Sequence, residues 1–326
     1  MLTYLNDYPM IQTKLQAVCL LIEERLQIEN TEIRKALIDL TNAGGKFLRP
    51  TFFFLFAELG DKEKQNPEQL LKIAASLEIL HMASLVHDDI IDDSPLRRNL
   101  ITIQAQYGKD VAVYTGDLLF TIFFDLIIES MNGSAYLAKN SAAMSHLLLG
   151  ELNQMADRFH TDNTVENYLH NIDGKTAELF ALACLEGAYF GHCSEETVGL
   201  AEKIGRNIGM AFQIYDDILD YTADKKDLKK PILEDLAQGV YTLPLLMAKK
   251  RHPEAFMPYL SKGADITVEE AKIVADLVVT YQGVKEAKAY AKNFTKEALT
   301  LIDRLPKGET KKLLKKLTTY LLLRTS

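Results

Sequence analysis

Apolar residues recur at three- and four-residue intervals along nearly the whole chain. Leu70, Ile73, Ala74, Leu77, Leu80 and His81 form one such series, and Leu200, Ile204, Ile208, Phe212 and Tyr215 another. This is the spacing of one face of an α-helix. Period-two runs of β-branched residues are scarce, so strands are not expected. Pro9, Pro50, Pro67, Pro95, Pro231, Pro253 and Pro306 fall at plausible element boundaries. Asn66-Pro67-Glu68 reads as an N-cap, a proline at the first helical position and an acidic first turn. Ser194-Glu195-Glu196 reads as another helix start, and Asn132-Gly133-Ser134 as a turn ending a helix over Leu118–Met131. The pattern predicts an all-α fold of roughly ten or more helices. Asp224–Gln238, charged and holding Pro231, is expected to be a loop or broken helix. Glu309–Arg324 reads as an amphipathic packing helix.

Composition narrows the class. The chain has 326 residues, 48% hydrophobic and 25% charged, enough for a large core. No linker-like tract or shift of composition divides it, so one domain over 1–326 is expected. A net charge of −8 argues against nucleic acid as a partner. Cys19, Cys184 and Cys193 fit neither a zinc site nor a disulfide framework, and Cys184 reads as a core residue. A reducing cytoplasm is the simplest compartment. The N-terminus lacks the pattern of a signal peptide, and the greasiest run, Leu118–Ile128, is interrupted by Asp125 and too short for a membrane span. Delivery of a greasy product to a membrane surface remains compatible with this.

Against that background one acidic pattern stands out. Asp88-Asp89-Ile90-Ile91-Asp92 and Asp216-Asp217-Ile218-Leu219-Asp220 repeat the signature DDxxD within apolar stretches. In a helix, the first and last aspartates of each copy lie one turn apart on one face. So much negative charge beside a core is costly unless cations offset it. Carboxylates at this spacing can hold Mg²⁺ while leaving most of its octahedral shell to water and phosphate. His81 shares the face of Asp88, about 10 Å further along the axis. Gln213, one turn before Asp216 and Asp217, is placed to donate to a carboxylate or a substrate oxygen.

Several cations could meet phosphate. Gly44-Gly45-Lys46-Phe47-Leu48-Arg49-Pro50 joins a flexible glycine pair to Lys46 and Arg49. Arg97-Arg98 follows the first aspartates, Lys175-Thr176 sits in an apolar neighbourhood, and Lys229-Lys230 follows the second set. No nucleophile–base pair, GxGxxG or Walker loop is evident. The chemistry implied is charge stabilisation on a leaving diphosphate more than proton transfer by a positioned base.

Taken together, these motifs resemble the trans-isoprenyl diphosphate synthase (polyprenyl synthetase) family over nearly the whole chain. The matching order is Gly44-Gly45-Lys46-x-x-Arg49-Pro50, Glu78-x-x-His81-x-x-Ser84-Leu85-x-x-Asp88-Asp89-x-x-Asp92-Asp93, Arg97-Arg98, Gly116-Asp117, Lys175-Thr176, Phe212-Gln213-Ile214-x-Asp216-Asp217-x-Leu219-Asp220 and Thr242-Leu243-Pro244. The resemblance implies an all-helical isoprenoid-synthase fold around a deep central cavity, usually as a homodimer. It assigns Asp88, Asp89, Asp92, Asp216, Asp217 and Asp220 to Mg²⁺, and it places Asp88, Asp89, Asp92, Asp216 and Asp217 with Lys175 in catalysis. Arg97, Lys175, Thr176, Gln213 and Lys230 would hold an allylic diphosphate; Lys46, Arg49, His81 and Arg98 would hold isopentenyl diphosphate. The implied reaction is ionisation of the allylic C–O bond, attack by the isopentenyl double bond and proton loss to the departed diphosphate.

The chain departs from the family pattern at Phe47, often basic; at Asn99 and Ile101, usually glycine and proline; at Lys229, a common glycine; and at Val240, often lysine. These departures resemble catalytic subunits of bacterial hexaprenyl and heptaprenyl diphosphate synthases, some of which require a small regulatory partner. Ala83 and Ser84, one turn before Asp88, are small where short-chain members often carry an aromatic plug. A product longer than geranylgeranyl diphosphate, such as a quinone side-chain precursor, is therefore expected. The alternatives are a geranylgeranyl or farnesyl diphosphate synthase, a class I terpene cyclase, a metal phosphohydrolase using His87-Asp88, and a non-catalytic subunit.

Overall fold

The computed structural model describes residues 8–42, 47–222 and 234–323. Lys46 with Gly44 and Gly45, and Lys230 with Lys229, lie outside the described residues. The described chain is helical, as expected, and falls into two compact units: 1–140 with 183–201, and 141–182 with 202–326.

The first unit contains α1 (Pro9–Arg25), α2 (Thr31–Asn42), α3 (Leu48–Ala57), α4 (Pro67–Ile91), β1 (Leu96–Arg97), β2 (Leu100–Ile101), α5 (Ile103–Tyr107) and α6 (Lys109–Met131). Its boundaries fall inside α7 (Tyr136–Ala156), α9 (Glu178–Phe190) and α10 (Glu195–Thr222). The second unit adds α8 (Val165–Ile172), a π-helical turn (Asp173–Ala177), α11 (Glu234–Ala237), α12 (Leu243–Arg251), α13 (Pro253–Leu260), α14 (Val268–Thr280), α15 (Gly283–Ile302) and α16 (Glu309–Leu323).

The helix starts follow local chemistry. The Asn66 side chain accepts from the backbone N–H groups of Glu68 and Gln69, and Pro67 opens α4 without losing a needed donor. Ser194 Oγ accepts from Thr197 N at 3.3 Å to start α10. Gly133, at φ +78°, turns the chain after α6. The α16 residues Leu313, Leu314, Leu317, Leu321 and Leu322 are buried, which makes it a packing helix. Cys184 is buried.

Two features were not expected. The hairpin of β1 and β2 turns at Arg98 and Asn99, both at positive φ (54° and 65°), which is the geometry of a type I′ turn. Two-residue strands are too short to leave a period-two pattern. Second, α4 and α6 are long and apolar enough to cross a membrane by length and composition alone. The run Leu118–Ile128 is only part of α6, which extends from Lys109 to Met131. α4 is mostly buried, as a core helix is, and α6 less so.

Within the first unit, Glu186 is fully buried. Asn140 Nδ2 donates to its Oε1 at 2.5 Å and to Tyr136 O at 2.9 Å. Among the described residues Glu186 Oε2 has no partner. Burial, opposed by the Asn140 hydrogen bond and Lys139, pushes the carboxyl up to about 8. The unfolded chain therefore releases this proton at lower pH than the folded one. The stabilising contribution is complete below the ordinary glutamate value and is lost as pH rises to about 8. Glu186→Gln should raise Tm by on the order of 5 °C at pH 8.5 and much less at pH 5, measured by calorimetry. An equal shift at both values would rule out proton linkage at this site.

Candidate active site

In the first unit, α4 carries His81, Ser84, Asp88, Asp89 and Asp92, with Asp92 closing the helix. Asp88 and Asp92 keep partial solvent access, whereas Asp89 is 4% exposed. Arg97 Nε, delivered by β1, donates to Asp89 Oδ1 at 2.6 Å. The middle aspartate is thus a buried anchor for the hairpin. Asp89 follows the buried stripe Met82 and Val86 on α4, so its inward aim was legible in the spacing.

The hairpin turn also accounts for Asn99: a type I′ turn needs positive φ at both central positions, and asparagine tolerates it next best after glycine. Arg98 Nη1 reaches Leu40 O at 3.5 Å. Arg49, opening α3, is pushed down to about 10 by burial and Arg98 against the opposing charge of Glu78, and it remains a cation at neutral pH. Burial raises the Glu78 carboxyl against the pull of Arg49 and Arg98. His81 is held well below its ordinary value, first by burial and then by Arg49, Arg98 and Arg97. Its neutral imidazole can donate one hydrogen bond and accept another. Arg49, His81 and Arg98 therefore share one electrostatic neighbourhood, as an anion site requires. Phe47 is not part of it: the ring is buried, and the residue sits at φ 44° before α3, where its carbonyl accepts from Thr51 Oγ1 at 2.7 Å.

α6 packs along α4. His87 Nε2 lies 3.3 Å from Asp117 Oδ1. A Cβ at Gly116 would fall 2.5 Å from His87 Nε2, so the Gly116-Asp117 pair admits the imidazole against α6. Of the two small residues before Asp88, Ala83 is fully buried, while Ser84 is partly exposed and donates to His81 O at 2.8 Å.

The second unit repeats the arrangement on α10. Asp216 is exposed and Asp220 partly so, while Asp217 is 5% exposed, behind the buried stripe Met210 and Ile214. Gln213 Nε2 donates to Asp217 Oδ1 at 2.8 Å, and Tyr168 OH donates to Oδ2 at 2.6 Å. Thr176 Oγ1 in turn donates to Gln213 Oε1 at 2.7 Å. Burial and the facing Asp235 and Asp216 carboxylates raise Asp217 well above the usual range, opposed by these hydrogen bonds. Lys175, beside Thr176 on the π-helical turn, donates to Glu151 Oε2 at 2.8 Å and Gln154 Oε1 at 2.9 Å. A Cβ at Gly150 would fall 2.7 Å from Lys175 N, so glycine lets α7 approach this turn. Val240 donates its N–H to Asp235 O at 2.8 Å. Thr242 sits at the head of α12, its Oγ1 3.4 Å from Tyr221 OH.

Tyr168, Glu151 and Gln154 were missed by sequence reasoning. A phenol seven residues before Lys175 on an apolar helix face was the only signal for Tyr168.

Among the described residues no three His, Cys, Asp or Glu side chains gather into a protein-only metal cage. Two solvent-accessible carboxylates per helix suit Mg²⁺ instead, an ion that keeps water and substrate phosphate in its shell. The donor sets therefore fit this ion.

The family model for polyprenyl synthetases matches residues 30–276. The chain is 35% identical over 316 residues to heptaprenyl diphosphate synthase component 2 of Geobacillus stearothermophilus, covering 96% of this chain and 97% of that one. It superposes on a geranylgeranyl pyrophosphate synthase of Lactobacillus brevis with a TM-score of 0.94 and 42% identity, 99% of each chain being covered. A polyprenyl synthase of Caulobacter crescentus, solved with calcium and isoprenyl diphosphate, gives 0.88 and 28% identity over 98% of this chain and 97% of that one. The fold and site define an all-α prenyltransferase. The chain belongs to the polyprenyl synthetase family.

Proposed function

We propose that this chain lengthens an allylic diphosphate with isopentenyl diphosphate, head to tail and all-trans, in a Mg²⁺-dependent reaction. The observation that carries the reading is the repeated design of α4 and α10. In each, the middle aspartate is pinned by a named donor, and the flanking aspartates one turn apart keep solvent access. Asp88, Asp92, Asp216 and Asp220 would hold the metal; Asp89 and Asp217 are read as anchors, a revision of their assignment as ligands. When bound, Mg²⁺ neutralises charge on the departing diphosphate. Arg97, Lys175, Thr176, Gln213 and Lys230 orient that diphosphate, and Lys46, Arg49, His81 and Arg98 that of the second substrate. The allylic C–O bond breaks with its electron pair going to the diphosphate. The isopentenyl π electrons form the new C–C bond, and a proton passes to the released diphosphate. Apolar walls keep water from the cation.

The product proposed is hexaprenyl or heptaprenyl diphosphate, supported by the heptaprenyl relative and by small Ser84. A geranylgeranyl product is the second reading, favoured by the Lactobacillus brevis relative. The whole chain is read as one functional domain, since the unit boundaries fall inside helices and the family model spans both units. Apolar residues exposed on α6, among them Tyr114, Leu118 and Ile128, support a homodimer. The relative's designation as a component supports a small regulatory partner. Cytoplasmic placement with product delivery to a membrane completes the proposal. Chelation with EDTA should abolish incorporation of labelled isopentenyl diphosphate, and added Mg²⁺ should restore it. Incorporation that persists without a divalent ion would rule out the metal role.

A further inference from the structure

The relay around Asp217 ties three segments together. It starts at Thr176 in the π-helical turn, passes through Gln213 one helical turn before Asp217 on α10, and ends on Asp217. Tyr168 of α8 closes it from the other side. The direction of each bond is set by chemistry. Gln213 Oε1 accepts from Thr176, so its amide N–H must face Asp217. Both Asp217 oxygens are thereby engaged, one by each neighbour. The carboxylate cannot turn outward without leaving a buried phenol and a half-buried amide unmatched.

We infer that Tyr168 is a positioning residue for the second aspartate set: its hydroxyl, with Gln213, locks Asp217 inward and so fixes the face on which α10 presents Asp216 and Asp220. The inference rests on the proposed function and adds to it a residue from outside the aspartate motifs. Tyr168 is nearly as buried as Asp217 and belongs to a different helix. Local helix geometry would already place Asp216 and Asp220 on one face. What the phenol supplies is the rotation of that face relative to α8 and to the turn carrying Lys175 and Thr176. The same relay therefore couples the acidic helix to the turn that holds the candidate diphosphate cation. Outer partners of this kind typically change metal affinity by about 10–100-fold when removed.

The test uses the full-length protein and farnesyl thiolodiphosphate, an unreactive allylic probe, titrated calorimetrically with and without Mg²⁺. Tyr168→Phe should weaken Mg²⁺-dependent probe binding about 10-fold. It should also raise the half-saturating Mg²⁺ concentration and the allylic KM, leaving the isopentenyl KM unchanged. Asp217→Asn should bind the probe far better than Asp216→Asn, because an amide can donate to Tyr168 and accept from Gln213. This second variant keeps the test decisive should Tyr168→Phe fold poorly. Unchanged probe binding in Tyr168→Phe, or a kcat loss with all KM values intact, would overturn the inference. So would an Asp217→Asn as defective as Asp216→Asn, since Asp217 would then be a metal ligand. If the wild-type protein shows no Mg²⁺-dependent probe binding, the proposed function fails instead.

Discussion

Asp88→Ala and Asp216→Ala should each lower turnover by at least ~100-fold, about 3 kcal/mol of lost transition-state stabilisation. Both carboxylates sit at the solvent-accessible start of a DDxxD turn, where charge on the leaving group must be balanced by a cation. The buried Asp89 and Asp217 hold the fold instead, through Arg97 in the first case and through Tyr168 and Gln213 in the second. The loss should fall on kcat and on Mg²⁺ dependence in protein that still folds. Steady-state kinetics across Mg²⁺ concentrations, with calorimetry alongside, would check this. Near-normal turnover in both variants would remove the metal-binding role.

Ser84→Phe should shorten the main product by two or more isoprene units. Helical side chains lean toward the N-terminus, so residue 84 covers the surface just beyond Asp88 on the same face. That is where a chain growing away from the diphosphate must pass. Ser84 has accessible surface there, and Ala83 has none. Of the two small residues before Asp88, Ser84 is therefore the better place for a plug. Ala83→Phe would instead overpack the core, at a cost of about 1–3 kcal/mol. Sizing of dephosphorylated products by chromatography reads the outcome. Unchanged length in a folded, active Ser84→Phe would show that the growing chain takes another route.

Much of this was legible in the sequence because it is written in local rules. Asn66-Pro67-Glu68 marks the start of α4 through capping chemistry alone, and the three- and four-residue periodicity gives the helical class. The paired aspartates announce themselves because carboxylates are rare in apolar stretches. What spacing hides is which neighbour a side chain meets. Asp89 and Asp217 lie about 100° of helix rotation from the aspartate before them and about 60° from the one three residues on. That turns them from solvent toward Arg97 in one case and Tyr168 in the other. The sequence likewise suggests Lys175 as a phosphate ligand but not the Glu151 and Gln154 contacts that α7 adds to it. The β1–β2 hairpin was invisible for a different reason: its order comes from one turn and a few contacts such as Arg97–Asp89 rather than from a repeating pattern.

The measurement to make first is a product assay with the purified chain, Mg²⁺, farnesyl diphosphate and labelled isopentenyl diphosphate. A discrete polyprenol longer than geranylgeraniol is the expected result and would establish chain elongation together with its length. Failure to condense isopentenyl diphosphate onto farnesyl, geranyl or dimethylallyl diphosphate, by folded protein on its own and with a small partner subunit supplied, would contradict the elongating activity.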